Sequence, residues 1–403
     1  MLTIKDFEAA AGRLKNVIHI IPLSTSQTFS NMTGAEVYLK FENQQKTGSF
    51  KVRGAYNKIM KRFEEGDLHA VVASSAGNHA QGVAFAASSV GVKSTIVMPR
   101  STPIAKVSAT EGYGAEVVLA GSIYDEAYAK ACEIMEETGA EFIHPFDDED
   151  VMAGQGTIAL EILRDLPGVD MIFVPAGGGG LISGIAACAK QINPRVEIIG
   201  VQAAGAPAIA NAFHNADAAP CDHVHTIADG IAVKTPGAKT MEYINQYVDQ
   251  MITVSDADIA STILLLLERT KQVVEPAGAA SLAALLAGKV DVKGKKVVCV
   301  LSGGNIDVSF IHKVVEKGLV TRGRHMKFST IMPDVPGSLA GFSEIVAECN
   351  ANVIMFQHDR VQADLDIDEA IVQVVCEVGG KEHGQRLLRA LTAGGYTIMS
   401  HPF

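Results

Sequence analysis

The chain has no tryptophan and only 6% aromatic residues, so its core must be built from small and branched aliphatic side chains. Its six cysteines, at 132, 188, 221, 299, 349 and 376, are widely spaced and form no C-x-x-C pair, which argues against a disulfide framework and for reduced thiols. The nearest thing to a zinc cluster, Cys221-Asp222-His223-Val224-His225, has no second ligand pair at suitable spacing, and no metal is expected. No apolar run approaches the ~18 residues that span a bilayer, and Met1-Leu2-Thr3-Ile4-Lys5-Asp6 lacks a basic segment followed by an apolar one. A cytoplasmic protein without membrane contact is the expectation. There is no extended basic cluster, and the net charge of -11 argues against a nucleic-acid partner, because phosphate backbones need a basic surface.

What the chain does have is alternation. Strands are expected at 70–73, 94–98 and 115–119, with helices at 79–90, 102–113 and 123–138, a βαβ series that makes a parallel sheet covered on both faces. Extended segments at Ile21-Pro22-Leu23 and 37–42 come before it, after a helix over 3–15. A second series from about 151 carries apolar strands at 170–175, 196–202 and 296–301, hence a second parallel layer. Past the basic connector Thr321-Arg322-Gly323-Arg324-His325 the order changes to strand 326–332, helix 335–349, strands 352–357 and 369–377, helix 381–392 and strand 396–401. That βαββαβ order is ferredoxin-like.

Three glycine-bearing loops each follow a strand. Gly177-Gly178-Gly179-Gly180-Leu181 lies between a strand and a helix, where backbone N–H groups and the helix dipole favour an anion such as phosphate; a flexible connector is the bland alternative. A dinucleotide fingerprint does not fit, since its third glycine would fall on Ile182, and no Walker lysine is present. Ser74-Ser75-Ala76-Gly77-Asn78-His79 can hold a carboxylate or serve only as a capped turn. Ser302-Gly303-Gly304-Asn305 is the third. Such loops gather at the C-terminal edge of parallel sheets, where open α/β folds bind ligands. Beside them, Lys51 in Ser49-Phe50-Lys51-Val52-Arg53-Gly54 has apolar neighbours that would lower its pKa and free its amine as nucleophile and base. On those six residues alone an ordinary, partly snorkelling lysine at a helix start is the stronger reading, and the catalytic one needs support from elsewhere in the chain.

Taken in order, these motifs, with Thr226-Ile227-Ala228-Asp229-Gly230, resemble the fold-type II pyridoxal-phosphate enzymes of the threonine dehydratase (threonine ammonia-lyase) family. The likeness covers about 1–320, with a smaller subdomain near 47–150, and residues 325–403 resemble an ACT regulatory domain. It implies pyridoxal 5'-phosphate on Lys51 beside Phe50, with Asn78 at the ring hydroxyl, Gly177, Gly178, Gly179, Gly180 and Leu181 around the phosphate, and Ser302 at the ring nitrogen. Ser75, Gly77 and His79 would meet the substrate carboxylate. Glu275 lies beside the ring or is merely an acidic helix start before a proline.

The implied reaction is β-elimination of the hydroxyl of L-threonine, and of L-serine, to a 2-oxo acid and ammonia, a step of isoleucine biosynthesis in part of the family. The related serine racemases carry a serine as second base where this chain has Ala76, and Gln202-Ala203-Ala204-Gly205 offers no carboxylates for their divalent cation. A non-catalytic amino-acid sensor is the rival of a different class. In the tail, Asp334 and Gly337 of Asp334-Val335-Pro336-Gly337-Ser338-Leu339 would bind an effector such as isoleucine or valine, or the domain serves only assembly into a homodimer or homotetramer.

Overall fold

The structure, a computed structural model, describes residues 1–66, 68–215, 221, 223–360 and 366–399. The chain divides into two compact units, Met1–Ile306 and Asp307–Phe403.

The first unit carries strands β1 (Ser24–Thr25), β2 (Glu36–Lys40), β3 (Ala70–Ser74), β4 (Lys93–Met98), β5 (Glu116–Leu119), β6 (Glu141–Phe142), β7 (Met171–Pro175), β8 (Glu197–Ala203), β9 (Gln250–Val254) and β10 (Lys296–Val300). They form two sheets. The smaller, ordered β5-β4-β3-β6, is parallel throughout. The larger, ordered β1-β2-β10-β7-β8-β9, is parallel except for the β1–β2 pair. Every residue of β7 is buried, as expected of a strand covered on both faces.

The first extended segment is shorter and later than expected. Ile21-Pro22-Leu23 forms no strand; instead the Ile21 carbonyl accepts a hydrogen bond from Lys40 Nζ, and only Ser24 and Thr25 pair, with Leu39 and Tyr38. Of the extended segment expected at 37–42, which neither βαβ series claimed, residues 37–40 are drawn into the larger sheet as part of β2, with Val37 opposite Val297, while Glu42 starts a 3-10 turn. The helix expected over 102–113 runs only over Ile104–Glu111, with Pro103, outside the helical region at ψ 138°, before its first residue and Gly112 after its last.

Small residues set how closely the helices meet. Helices Lys51–Glu64 and Glu149–Asp165 cross at Gly54 and Gly154, where a Cβ on Gly154 would lie 2.5 Å from the Arg53 carbonyl. The apolar clusters around each sheet are correspondingly rich in Ala, Val and Ile.

The second unit holds helix Val308–Thr321, then β11 (His325–Pro333), helix Ser338–Glu348, β12 (Asn352–Asp359), β13 (Glu369–Glu377), helix Lys381–Ala393 and β14 (Thr397–Ile398). Its sheet, β12-β13-β11-β14, is antiparallel and ferredoxin-like, and Phe328, Phe342, Val372, Val374 and Leu387 form its core. The helix expected from 335 starts at Ser338, since Gly337 caps it in the left-handed region at φ 100°. Of the strand expected over 396–401, residues 400 and 401 lie outside the described residues. No described helix is long and apolar enough to cross a membrane. Among the described residues no three His, Cys, Asp or Glu side chains could share a metal; Asp222 of the 221–225 stretch lies outside them.

Candidate active site

Lys51 opens helix Lys51–Glu64, and the residues before it are zipped onto the 302–305 loop. Ser49 bridges Gly303, Phe50 N donates to Ser302 O at 3.1 Å, and Gly304 N donates to Gly48 O at 2.9 Å. Those main-chain bonds bring the lysine loop and the buried Ser302 together across some 250 residues of sequence. Lys51 Nζ donates to Pro145 O at 2.7 Å and stands 5.3 Å from the centre of the Phe50 ring. Loss of hydration lowers its pKa to about 8, against a smaller opposing pull from Glu275.

The β3 loop lies alongside. Ser75 Oγ accepts from Gly77 N at 3.3 Å, and helix Asn78–Ser89 begins one residue later, its first N–H groups without helical partners. Asn78 Nδ2 donates to Glu275 Oε1 at 2.7 Å, and Asn78 Oδ1 accepts from Asn305 Nδ2 at 2.5 Å. Glu275 precedes Pro276 at a helix start, yet its side chain is buried in this cluster. Burial pushes its carboxyl up to about 7, with the Asn78 hydrogen bond acting in the opposite sense. His79 Nε2 lies 2.8 Å from Ile143 O, so the carbonyl fixes Nε2 as the donor and leaves Nδ1 as a buried acceptor with no partner. Burial, and then Lys51, bring its pKa down to about 3, so the ring is neutral.

The glycine loop joins β7 to helix Gly180–Ile192, with Gly179 at φ 99°. Each glycine is also required by a neighbour. A Cβ on Gly178 would fall 2.3 Å from the Phe146 ring, and one on Gly180 would fall 2.8 Å from the Phe146 backbone. Thr240 Oγ1 donates to Gly178 O at 2.8 Å, and Leu181 is buried beneath the turn.

One stretch has no counterpart in the sequence expectations, and it links everything above. Over Ile143-His144-Pro145-Phe146-Asp147, the Ile143 carbonyl holds His79, the Pro145 carbonyl holds Lys51, and Phe146 packs on the glycine loop. His144 Nδ1 accepts from Phe146 N at 3.3 Å and Asp147 N at 2.8 Å, and Asp147 Oδ1 accepts from Thr240 N at 3.0 Å. The stretch contains no glycine and meets Lys51 and His79 through main-chain carbonyls, so no motif announced it; only Pro145 after a short strand hinted at a fixed turn. Asp334 and Gly337 belong to the second unit, where Asp334 pairs with Arg360 Nε at 2.8 Å.

These residues fit an aldehyde cofactor that carries a phosphate. They supply an amine of lowered pKa, a left-handed glycine turn at a helix start, and two buried hydroxyls without partners, Ser49 Oγ beside the lysine and Ser74 Oγ beside the asparagine loop. The comparisons agree. Residues 14–303 match the family model described as "Pyridoxal-phosphate dependent enzyme". The chain is 49% identical over 398 residues to the L-threonine ammonia-lyase of Thermotoga maritima, covering 99% of each chain. Among solved structures, the processed form of threonine deaminase isoform 2 from Solanum lycopersicum superposes with a TM-score of 0.74 at 37% identity, over 78% of this chain and 93% of its own. Maize serine racemase gives the same TM-score at 34% identity, over 78% of this chain and 97% of its own. With its lysine, glycine turn and buried hydroxyls in one site and the family model matching most of its length, the chain belongs to the pyridoxal-phosphate dependent enzymes.

Proposed function

We propose that this enzyme is an L-threonine ammonia-lyase that eliminates the β-hydroxyl of L-threonine, and also of L-serine, to give a 2-oxo acid and ammonia. The observation that carries the reading is Lys51, a lone amine of lowered pKa held at the Pro145 carbonyl, in a chain alignable end to end with a protein of that name. When bound, pyridoxal phosphate supplies the electron sink that makes the substrate α-proton removable.

The chain's own residues do the rest. Lys51 Nζ would hold the cofactor's aldehyde and, as a free amine of lowered pKa, would take the substrate α-proton. Gly177, Gly178, Gly179, Gly180 and Leu181 hold the phosphate on the N–H groups of helix Gly180–Ile192. Asn78 and Ser302 orient the ring from opposite loops, with Phe50 and Glu275 beside it. Ser75, Gly77 and His79 receive the substrate carboxylate at the start of helix Asn78–Ser89. As His79 Nδ1 is an acceptor, that contact is made by the backbone N–H and not by the ring. Ala76 has no exchangeable proton, so Lys51 is left without a second base on the opposite face. That favours elimination over the racemisation named for the maize protein. Lys51→Ala should abolish ammonia release from L-threonine while leaving the circular dichroism spectrum unchanged. Turnover at the wild-type rate in that variant would sink the mechanism.

The second unit is read as an ACT domain that binds an amino acid such as isoleucine or valine at Asp334 and Gly337, within a homodimer or homotetramer. Support comes from the ferredoxin-like order and from open space around Gly337, where a Cβ would meet nothing within 4 Å. Six free cysteines suit a reducing compartment, the cytoplasm.

A further inference from the structure

Lys51 and Arg53 are the first and third residues of helix Lys51–Glu64, so the chain puts two cations where the helix dipole already presents positive potential. For Arg53 the compensation is complete. Its Nε and Nη2 fork onto the two oxygens of Glu42 at 2.8 Å each. Nη1 donates to Glu161 Oε1 at 2.6 Å and to Thr157 Oγ1 at 3.0 Å, and Nη2 donates again to Glu161 Oε2 at 3.0 Å. All five N–H groups of the guanidinium therefore have partners. Lys40 Nζ reaches Glu161 Oε2 at 2.5 Å, so two cations and two carboxylates close into a cluster of no net charge.

The partners come from separate places. Lys40 ends β2, Glu42 opens the short 3-10 turn that follows, and Thr157 and Glu161 lie on helix Glu149–Asp165. Lys40, Glu42 and Arg53 are wholly buried. On the same turn Gly54 N donates to Gln155 Oε1 at 3.1 Å, and the Gly54–Gly154 crossing leaves no slack. A buried ion cluster adds little net stability over a well-packed apolar one, whereas a forked guanidinium fixes both distance and rotation. Such a device sits two residues from the amine.

We propose that Arg53 is a positioning residue for the reaction: its fully paired guanidinium clamps the first turn of helix Lys51–Glu64 and thereby fixes where the Lys51 amine stands and how readily it is deprotonated. The proposal rests on the reading of Lys51 given above. Three other groups act electrostatically with Lys51: Glu275 from its helix start, His79 from helix Asn78–Ser89, and His144 from the 143–147 stretch. They are left unchanged in the test.

Two variants of the full chain separate positioning from bulk stability. Arg53→Lys keeps the charge and loses the fork; Glu161→Gln keeps the shape and leaves one positive charge unbalanced. Cofactor-free protein is mixed with pyridoxal phosphate at a series of pH values and reduced with borohydride, and the label on Lys51 is quantified by mass spectrometry. Kinetics with L-threonine and thermal melting are measured on the same preparations. Glu161→Gln is expected to lower the midpoint of the labelling profile by roughly half a pH unit or more, since an added positive charge disfavours the ammonium. Arg53→Lys is expected to cut kcat roughly tenfold with KM within about threefold, because the displaced amine still permits binding. Lower melting temperatures with the labelling midpoint and kcat both unchanged would overturn the proposal and leave Arg53 a purely structural residue. Should Arg53→Lys fail to fold, the kinetics of Glu161→Gln decide: a lowered kcat with KM within about threefold supports the clamp, and an unchanged kcat overturns it. A wild-type chain labelled elsewhere than Lys51 would instead defeat the reading of Lys51, and the proposal with it.

Discussion

Near neutral pH the two site groups closest to changing charge are Lys51, brought down to about 8, and Glu275, brought up to about 7, both chiefly by burial. Capture of pyridoxal phosphate by cofactor-free protein needs the neutral amine, so its rate should climb with pH and level off above 8; at pH 6 it should be roughly a hundredfold below the plateau. Stopped-flow absorbance checks this, and a pH-independent rate would contradict it. The Glu275 carboxyl has the opposite linkage. Its folded pKa is above the ordinary 4.5, so the folded state binds more protons between 4.5 and 7, and stability falls as pH rises through that window. Glu275→Gln should flatten that fall, by up to about 1.4 kcal/mol per pH unit, in denaturant titrations of the cofactor-free protein. Lys51 was legible in the sequence because its apolar neighbours and three glycine loops pointed the same way. The state of His79 was not, since a carbonyl 64 positions away sets its tautomer.

At the scale of elements, the strand-to-helix loops were readable because glycine and small hydroxyl residues mark them directly. What their glycines pack against was not readable. Gly178→Ala would drive a methyl into the Phe146 ring, and the displaced turn should weaken pyridoxal-phosphate binding by about tenfold or more, measured by equilibrium dialysis; unchanged affinity would remove the loop from the cofactor site. Gly54→Ala tests the helix crossing: its Cβ would meet the Val151 carbonyl at 2.7 Å and should destabilise the fold by about 1–3 kcal/mol in denaturant titrations. Strand periodicity found the buried strands, but residues 37–40 of the extended segment at 37–42 carried no clue to their partner. Their place beside β10 depends on a pairing with Val297 that local pattern does not encode.

For the molecule as a whole, the order of elements gave both fold types, since βαβ series and a βαββαβ tail each admit few arrangements. If the second unit binds an amino acid at Gly337, a side chain there must adopt φ 100°, which strains any β-branched residue. Gly337→Val should therefore raise the isoleucine concentration giving half-maximal response by roughly tenfold, read from threonine turnover against added isoleucine; an unchanged midpoint would relocate the effector. Within the first unit, the 143–147 stretch follows the last strand of the smaller sheet and meets the glycine loop of the larger, and its contacts with Lys51 and His79 are main-chain carbonyls. Carbonyls survive most substitutions, but they move together when the chain is lengthened or shortened. The two supports should thus survive substitution but not a change of length: a smaller apolar residue at Ile143 would cost core packing yet keep the carbonyl that holds His79, while one inserted residue would shift the supports of both Lys51 and His79 out of register at once.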